Sequence, residues 1–228
     1  VVLNNLNKLF EVKNGTNVKA VNDFNLNLEE GEILALLGSS GCGKTTTLRM
    51  IAGFEKATSG EIKIGGKLVN DLKPSDRNVA MAFEGYALYP PLTVRDNIAF
   101  SLMREKISKE KVDSKVVEVA ELLEITDILE RYPPSISGGQ QQRVSLARAL
   151  VIDSDALLLD EPMSQLEPQL RAVLRARVKD YIQHNNKTVI FVTHDQTEAV
   201  ALADKIAVME NGDLKQLASP YKISAKPS

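Results

Sequence analysis

The sequence predicts an α/β fold with a parallel sheet at its core, and three observations carry that prediction. The first is Gly38-Ser39-Ser40-Gly41-Cys42-Gly43-Lys44-Thr45, which fits the phosphate-loop pattern G-x-x-x-x-G-K-[ST] at every fixed position. The apolar run Ile33-Leu34-Ala35-Leu36-Leu37 precedes it, and a helical face of Leu48, Ile51 and Ala52 follows, with Gly53 as the stop. The second is a set of short apolar runs, each reading as a buried strand: Val79 to Phe83, Ala156 to Asp160, Val189 to Thr193 and Ile206 to Met209. The third is a change to helical period from about Thr93 to Arg131, where Val112, Val116, Val119 and Leu123 share one face. The expected architecture is a P-loop NTPase core with a parallel sheet, an N-terminal antiparallel β-subdomain and an inserted α-helical subdomain at approximately 93–150. Residues 1–228 form one such domain.

In order along the chain, residues 1–37 read as β-structure, with Phe24, Leu26 and Leu28 alternating with Asn25 and Asn27 and turns at Asn14-Gly15 and Glu30-Gly31. Phe10 is either a core residue or a ring that stacks on a nucleotide base. After the phosphate-loop helix, Glu61 to Ile64 is a strand turning at Gly65-Gly66 into Lys67-Leu68-Val69, and Lys73 to Asp76 is a loop. Pro133-Pro134 ends the helical insert. Ser137-Gly138-Gly139-Gln140 then opens a helix with the capping-box spacing S-x-x-Q. Pro168 starts a helix expected to turn Leu170, Val173, Leu174, Val178, Tyr181 and Ile182 inward. Asp195 with Glu198 caps a short helix through Ala203, and Asn211-Gly212 is a turn.

Composition narrows the function. A hydrophobic share of 43% and a charged share of 25% suit an ordinary globular chain, and a net charge of −2 gives no general attraction to nucleic acid. The single cysteine, Cys42, excludes an internal disulfide, and no Cys/His cluster suggests zinc. No apolar run is long enough to span a membrane, and the first residues lack the pattern of a signal peptide. The expectation is a cytoplasmic chain whose membrane connection runs through a partner.

The phosphate loop sets the chemistry. Its glycines let backbone amides converge on a polyphosphate at a helix start, where the dipole favours anions. Lys44 would meet the β- and γ-phosphates, and Thr45 would hold Mg²⁺ through its hydroxyl. Asp160 and Glu161 end a buried run. An aspartate there can hold Mg²⁺, and the adjacent glutamate can polarise water for in-line attack.

With Tyr86-Ala87-Leu88-Tyr89-Pro90, Ser137-Gly138-Gly139-Gln140, Leu158-Leu159-Asp160-Glu161-Pro162 and Thr193-His194-Asp195 added, the sequence resembles the ATP-binding subunits of ABC transporters. It is most similar to importer ATPases of the maltose and glycerol-phosphate type, from Phe10 to about Pro220. The resemblance implies ATP and Mg²⁺ as cofactors, with Phe10 stacking on adenine and Gly38, Ser39, Ser40, Gly41, Cys42, Gly43, Lys44, Thr45 and Thr46 cradling phosphate. It implies that Ser137, Gly138, Gly139 and Gln140 bind the γ-phosphate of an ATP held by a second protomer, and that His194 contacts the γ-phosphate and the attacking water. It assigns Lys44, Glu161 and His194 to catalysis, and Thr45, Glu84 and Asp160 to the metal. The implied partners are membrane permease subunits, a second cassette (identical or paired) and, indirectly, an extracytoplasmic solute-binding protein, at the inner face of the membrane and without nucleic acid. Full-length sugar-importer ATPases continue into a β-rich regulatory domain, which is expected to be absent here.

Four departures from the family pattern stand out. Glu84 replaces the usual Gln, Pro91 the usual His, Ser164-Gln165-Leu166-Glu167 the usual Ser-Asn-Leu-Asp, and Ile136 the usual Leu. Glu84 and Glu167 bear on hydrolysis and on communication between sites; the residues for ATP binding are intact. Two other readings are a soluble ABC-type ATPase acting on DNA or ribosomes, which usually carries two cassettes or long coiled-coil inserts, and a weakly hydrolysing regulatory cassette. Which solute is carried is not encoded in a subunit that touches the permease and not the cargo.

Overall fold

The computed structural model describes residues 1–12 and 15–224. Among these, ten strands form one sheet in the order β5-β4-β1-β2-β10-β9-β3-β8-β7-β6. Strands β1 (Val2–Glu11), β2 (Asn17–Asn27), β4 (Ser59–Ile64) and β5 (Lys67–Leu68) pair antiparallel. Strands β3 (Ile33–Leu37), β6 (Val79–Ala82), β7 (Ala156–Asp160), β8 (Val189–Thr193) and β9 (Lys205–Glu210) run parallel. Strand β10 (Asp213–Ala218) returns antiparallel beside β9 and touches β2, joining the two halves.

The parallel strands read as unbroken apolar runs because both faces are covered. Ile33, Ala35 and Leu37 point to one core and Leu34 and Leu36 to the other; Val189 and Phe191 oppose Ile190 and Val192 in the same way. Helix α1 (Lys44–Ala52) and the antiparallel strands close one core. Helices α2 (Val94–Phe100), α3 (Lys109–Leu122), α4 (Gly138–Leu150), α5 (Pro168–His184) and α6 (Gln196–Leu202) cover the other.

Local chemistry explains most boundaries. Gly53 ends α1 in the left-handed region, φ +86°, with its N–H returned to the helix's last carbonyls. Thr93, Ser108 and Ser137 cap α2, α3 and α4 through side-chain oxygens. Val116, Val119 and Leu123 are buried as the α3 periodicity requires, with Val112 packed at the edge.

Several details differ from the sequence reading. Val173 is 45% exposed, because α5 packs along the narrow i, i+4, i+8 stripe of Leu174, Val178 and Ile182 and Val173 lies outside it. Phe10 is 38% exposed and is not core. The loop at 73–76 contains a short 3₁₀ turn, Pro74–Asp76. Asp195 caps α6, but Glu198 turns inward to Thr193 and does not complete a reciprocal cap. Strand β10 and the terminal helix α7 (Pro220–Ser224) carried no recognised pattern. Asn14, half of an expected turn, and the last residue, Ser228, lie outside the described residues.

Candidate functional site

The carboxyl ends of β3, β6, β7 and β8 meet at a cleft of about 500 Å³ lined by the phosphate loop and by Glu84, Glu161, Ser164, Gln165 and His194. A larger cavity, about 590 Å³, opens near the opposite ends of these strands among Glu29, Glu30, Asp153 and Asp155. It holds none of the phosphate-loop residues, so the chemistry belongs to the first cleft.

The loop conformation depends on two glycines. Gly43 sits at φ +104°, where a Cβ would collide with the Ala20 carbonyl, and a Cβ on Gly38 would strike the Met209 carbonyl. Lys44 is buried, and its ammonium donates to the carbonyls of Gly38 (2.7 Å) and Ser39 (2.8 Å). These neutral acceptors hold the cation at the place where phosphate oxygens can compete for it. Cys42 is also buried, 3.8 Å from the Lys44 nitrogen, and does not line the cleft.

Thr45 Oγ1 donates to Asp160 Oδ1 at 3.1 Å. Burial pushes the Asp160 carboxyl above its ordinary range; the Thr45 hydrogen bond opposes this, and the charges of Glu84 and Glu161 add to it. A hydroxyl and a desolvated carboxylate, with Glu84 on the same cleft, form a hard-oxygen set that fits Mg²⁺. Among the described residues no group of three or more His, Cys, Asp and Glu side chains could hold a metal alone. A bound Mg²⁺ would therefore draw part of its shell from phosphate and water.

Glu161 adopts a left-handed backbone, φ +49°. Its N–H donates to the Val192 carbonyl (3.1 Å), and both its carboxylate oxygens lie 3.1 Å from His194 Nδ1. The His194 side chain is 66% exposed, so its ring is open to ligand. Gln142, buried on α4, secures the turn: Nε2 donates to the Glu161 carbonyl (2.9 Å) and Ser164 Oγ (3.1 Å), and Oε1 accepts from the Gln165 N–H (2.9 Å). Sequence reasoning missed Gln142, which sits three residues beyond the signature glycines; no pattern marks a buried glutamine that bonds across the fold.

Other expected residues lie elsewhere. The capping box of α4 is complete, Ser137 Oγ accepting from Gln140 N–H (3.2 Å) and Gln140 Oε1 from Ser137 N–H (2.9 Å). Ser137 and Gly138 are exposed and, like Gly139 and Gln140, outside their own chain's cleft. Phe10 does not line the cleft either; its ring lies under Lys8 Nζ, 4.7 Å from the centroid. Beyond Glu84, Tyr86 and Ala87 take left-handed backbones, and buried Asn97 braces the segment by accepting from the Tyr89 N–H and donating to the carbonyls of Tyr89, Leu92 and Thr93. Tyr89 packs on Phe100 (4.8 Å between centroids) under the Arg148 guanidinium, and both rings remain exposed.

The model of the ABC transporter family matches residues 21–164, from β2 through the phosphate loop, the α4 signature and Glu161. The chain belongs to the ABC transporter family. The cassette is 49% identical over 217 residues to the trehalose/maltose import ATP-binding protein of Thermococcus litoralis, covering 92% of this chain and 58% of that protein. It is 50% identical over 210 residues to the xylose/arabinose import ATP-binding protein of Haloferax volcanii, covering 92% of this chain and 55% of that one. The cassette thus spans somewhat more than half the length of these relatives. Its fold matches a dimeric ATP-binding cassette solved in a post-hydrolysis state bound to ADP and Pi, with a TM-score of 0.88 at 29% identity, over 96% of this chain and 98% of that one.

Proposed function

We propose that this cassette binds ATP with Mg²⁺ and hydrolyses it to drive import of a solute, of the sugar class, through separate membrane permease subunits. One observation carries the proposal: Lys44, the Thr45–Asp160 pair, and Glu161 with His194 converge on a single cleft at the ends of parallel strands. The relatives named above are import ATP-binding proteins, which supports the transport reading.

In this reading Lys44 exchanges the carbonyls of Gly38 and Ser39 for the β- and γ-phosphates. Thr45 and Asp160, with Glu84 beside them, would hold Mg²⁺, which would supply charge neutralisation for the transferring phosphoryl group. Glu161 orients and polarises the attacking water, and His194 contacts the γ-phosphate while steering the Glu161 carboxylate. Ser137, Gly138 and Gly139, exposed at the start of α4, offer backbone N–H groups to an ATP bound by a second cassette. The helices of 93–150 form a subdomain that meets the permease, placing the cassette on the cytoplasmic face of the membrane, with a solute-binding protein acting from the other side.

ATP turnover and nucleotide binding by the purified chain test the proposal. Glu161→Gln retains Mg²⁺-ATP binding within about twofold and loses turnover by roughly a hundredfold or more, the scale of a lost general base. Turnover unchanged in Glu161→Gln, or no ATP binding by the native chain, overturns it.

A further inference from the structure

Glu161 and His194 reach the same point of the cleft from two strands, β7 and β8. Their contact depends on how the turns after those strands are held relative to one another. Arg171, in the first turn of α5, touches both. Its Nη2 donates to the carbonyls of Leu166 (2.9 Å) and Ser164 (3.3 Å), in the segment that follows Glu161. Its Nη1 lies 3.6 Å from Asp195 Oδ2, on the residue after His194.

Both ends of this bridge are themselves fixed. The Ser164 N–H donates to the Glu161 carbonyl (3.3 Å). Asp195 uses its other oxygen to accept from the N–H groups of Thr197 (2.8 Å) and Glu198 (3.3 Å). Thr193, just before His194, accepts from the Asp195 N–H (3.0 Å) and donates to Glu198 Oε2 (2.5 Å). With the Glu161–His194 contact, these bonds close a ring through Glu161, Ser164, Arg171, Asp195 and His194. The planar guanidinium suits two carbonyls on one side and a carboxylate on the other; an ammonium cannot span them.

We propose that Arg171 is a positioning residue that yokes the turn carrying Glu161 to the turn carrying His194, so that the two groups approach the γ-phosphate at one fixed spacing. The inference rests on the roles given above to Glu161 and His194. Arg171 does not line the cleft; it acts through the two turns.

The test compares kcat, KM, ATP binding and melting temperature of the purified chain for Arg171→Met, Arg171→Lys, Asp195→Asn, His194→Ala and two double variants. Asp195→Asn keeps the oxygen that caps α6 and removes the charge facing Arg171. Arg171→Met lowers kcat about tenfold and changes ATP binding less than about twofold, a split that marks loss of transition-state geometry. Arg171→Lys recovers little of that loss. Arg171→Met with Asp195→Asn is no more than about twofold slower than Arg171→Met alone, because both break one bridge. Added to His194→Ala, Arg171→Met costs nothing further. Multiplying losses in both double variants, tracked by falling melting temperatures, assign Arg171 to plain stability and overturn the yoke. An unchanged kcat in Arg171→Met beside an impaired His194→Ala overturns the yoke and leaves the proposed function standing. An unchanged kcat in His194→Ala overturns the role of His194 and the yoke together. Should Arg171→Met fail to fold, Arg171→Lys and Asp195→Asn carry the test, and full turnover in both overturns the proposal.

Discussion

Two carboxylates decide how the cleft behaves. Glu84 lines it where the family usually places glutamine, so a negative charge replaces an amide donor near the expected γ-phosphate. At an effective dielectric of about 20, like charges ~4 Å apart cost on the order of 4 kcal/mol before a metal offsets them. Glu84→Gln is therefore expected to raise kcat at saturating Mg²⁺, about tenfold for each ~1.4 kcal/mol of barrier recovered, with little change in ATP binding. An equal or lower rate rejects the repulsion. Asp160 is the second case. Burial raises its folded-state pKa above the unfolded value, so protonation favours the folded chain, and that contribution fades as pH climbs from the ordinary carboxylate range through the raised value. As pH rises, the nucleotide-free chain bears more of the cost of the buried charge. Asp160→Asn should raise the melting temperature by about 2–4 °C at pH 7.5, a shift worth roughly 1 kcal/mol in a chain of this size, and should narrow the gain at pH 4. Mg²⁺-dependent turnover is lost in the same variant. A lower melting temperature at pH 7.5 contradicts the assignment.

At the scale of elements, the segment from Glu84 to Leu92 joins β6 to α2 and presents Tyr89 beside Phe100. Leu88 is different: it packs partly against the core and is not free for a partner. Asn97 spends its whole side chain bracing this segment, so the exposed rings sit on a rigid base and not on a loose loop. We expect Tyr89→Ala to lower permease-stimulated hydrolysis severalfold, with ATP binding and melting temperature nearly unchanged. Equal losses in all three measurements return Tyr89 to simple packing between α2 and α4. The element reading from sequence is soundest where one periodicity runs long and its stripe is covered along its length, as in α3. It erred at Val173 because apolar character alone cannot say how wide a stripe the neighbouring surface will cover.

For the whole molecule, the signature residues lie outside the lining of their own chain's cleft. Ser137 and Gly138 are exposed, while Lys44 and Glu161 line the cleft. In the function proposed above, a second copy related by two-fold symmetry would place each signature over the other's nucleotide. Sedimentation of Glu161→Gln should give a monomer with ADP and a dimer with Mg²⁺-ATP, because ligand bound across an interface stabilises the assembly by mass action. Adding Ser137→Arg, a bulky cation at an exposed cap, should return the monomer. The same sedimentation in every nucleotide state counts against the shared site.

The phosphate loop, the buried strands and the strand-end acids were legible in the sequence because each depends on neighbours a few residues apart: a glycine turn, an apolar run, a cap. Lys44, Thr45, Asp160 and Glu161 could be named from such patterns, and family resemblance extended the list to His194 and Glu84. Only the tertiary structure decided that His194 meets Glu161, that Gln142 and Arg171 hold the turn between them, and that Phe10 and the α4 signature lie outside the lining of the cleft. Those facts come from contacts between strands and helices far apart in the chain, where a polar side chain's partner is set by the packing of two cores against one sheet and by no local periodicity.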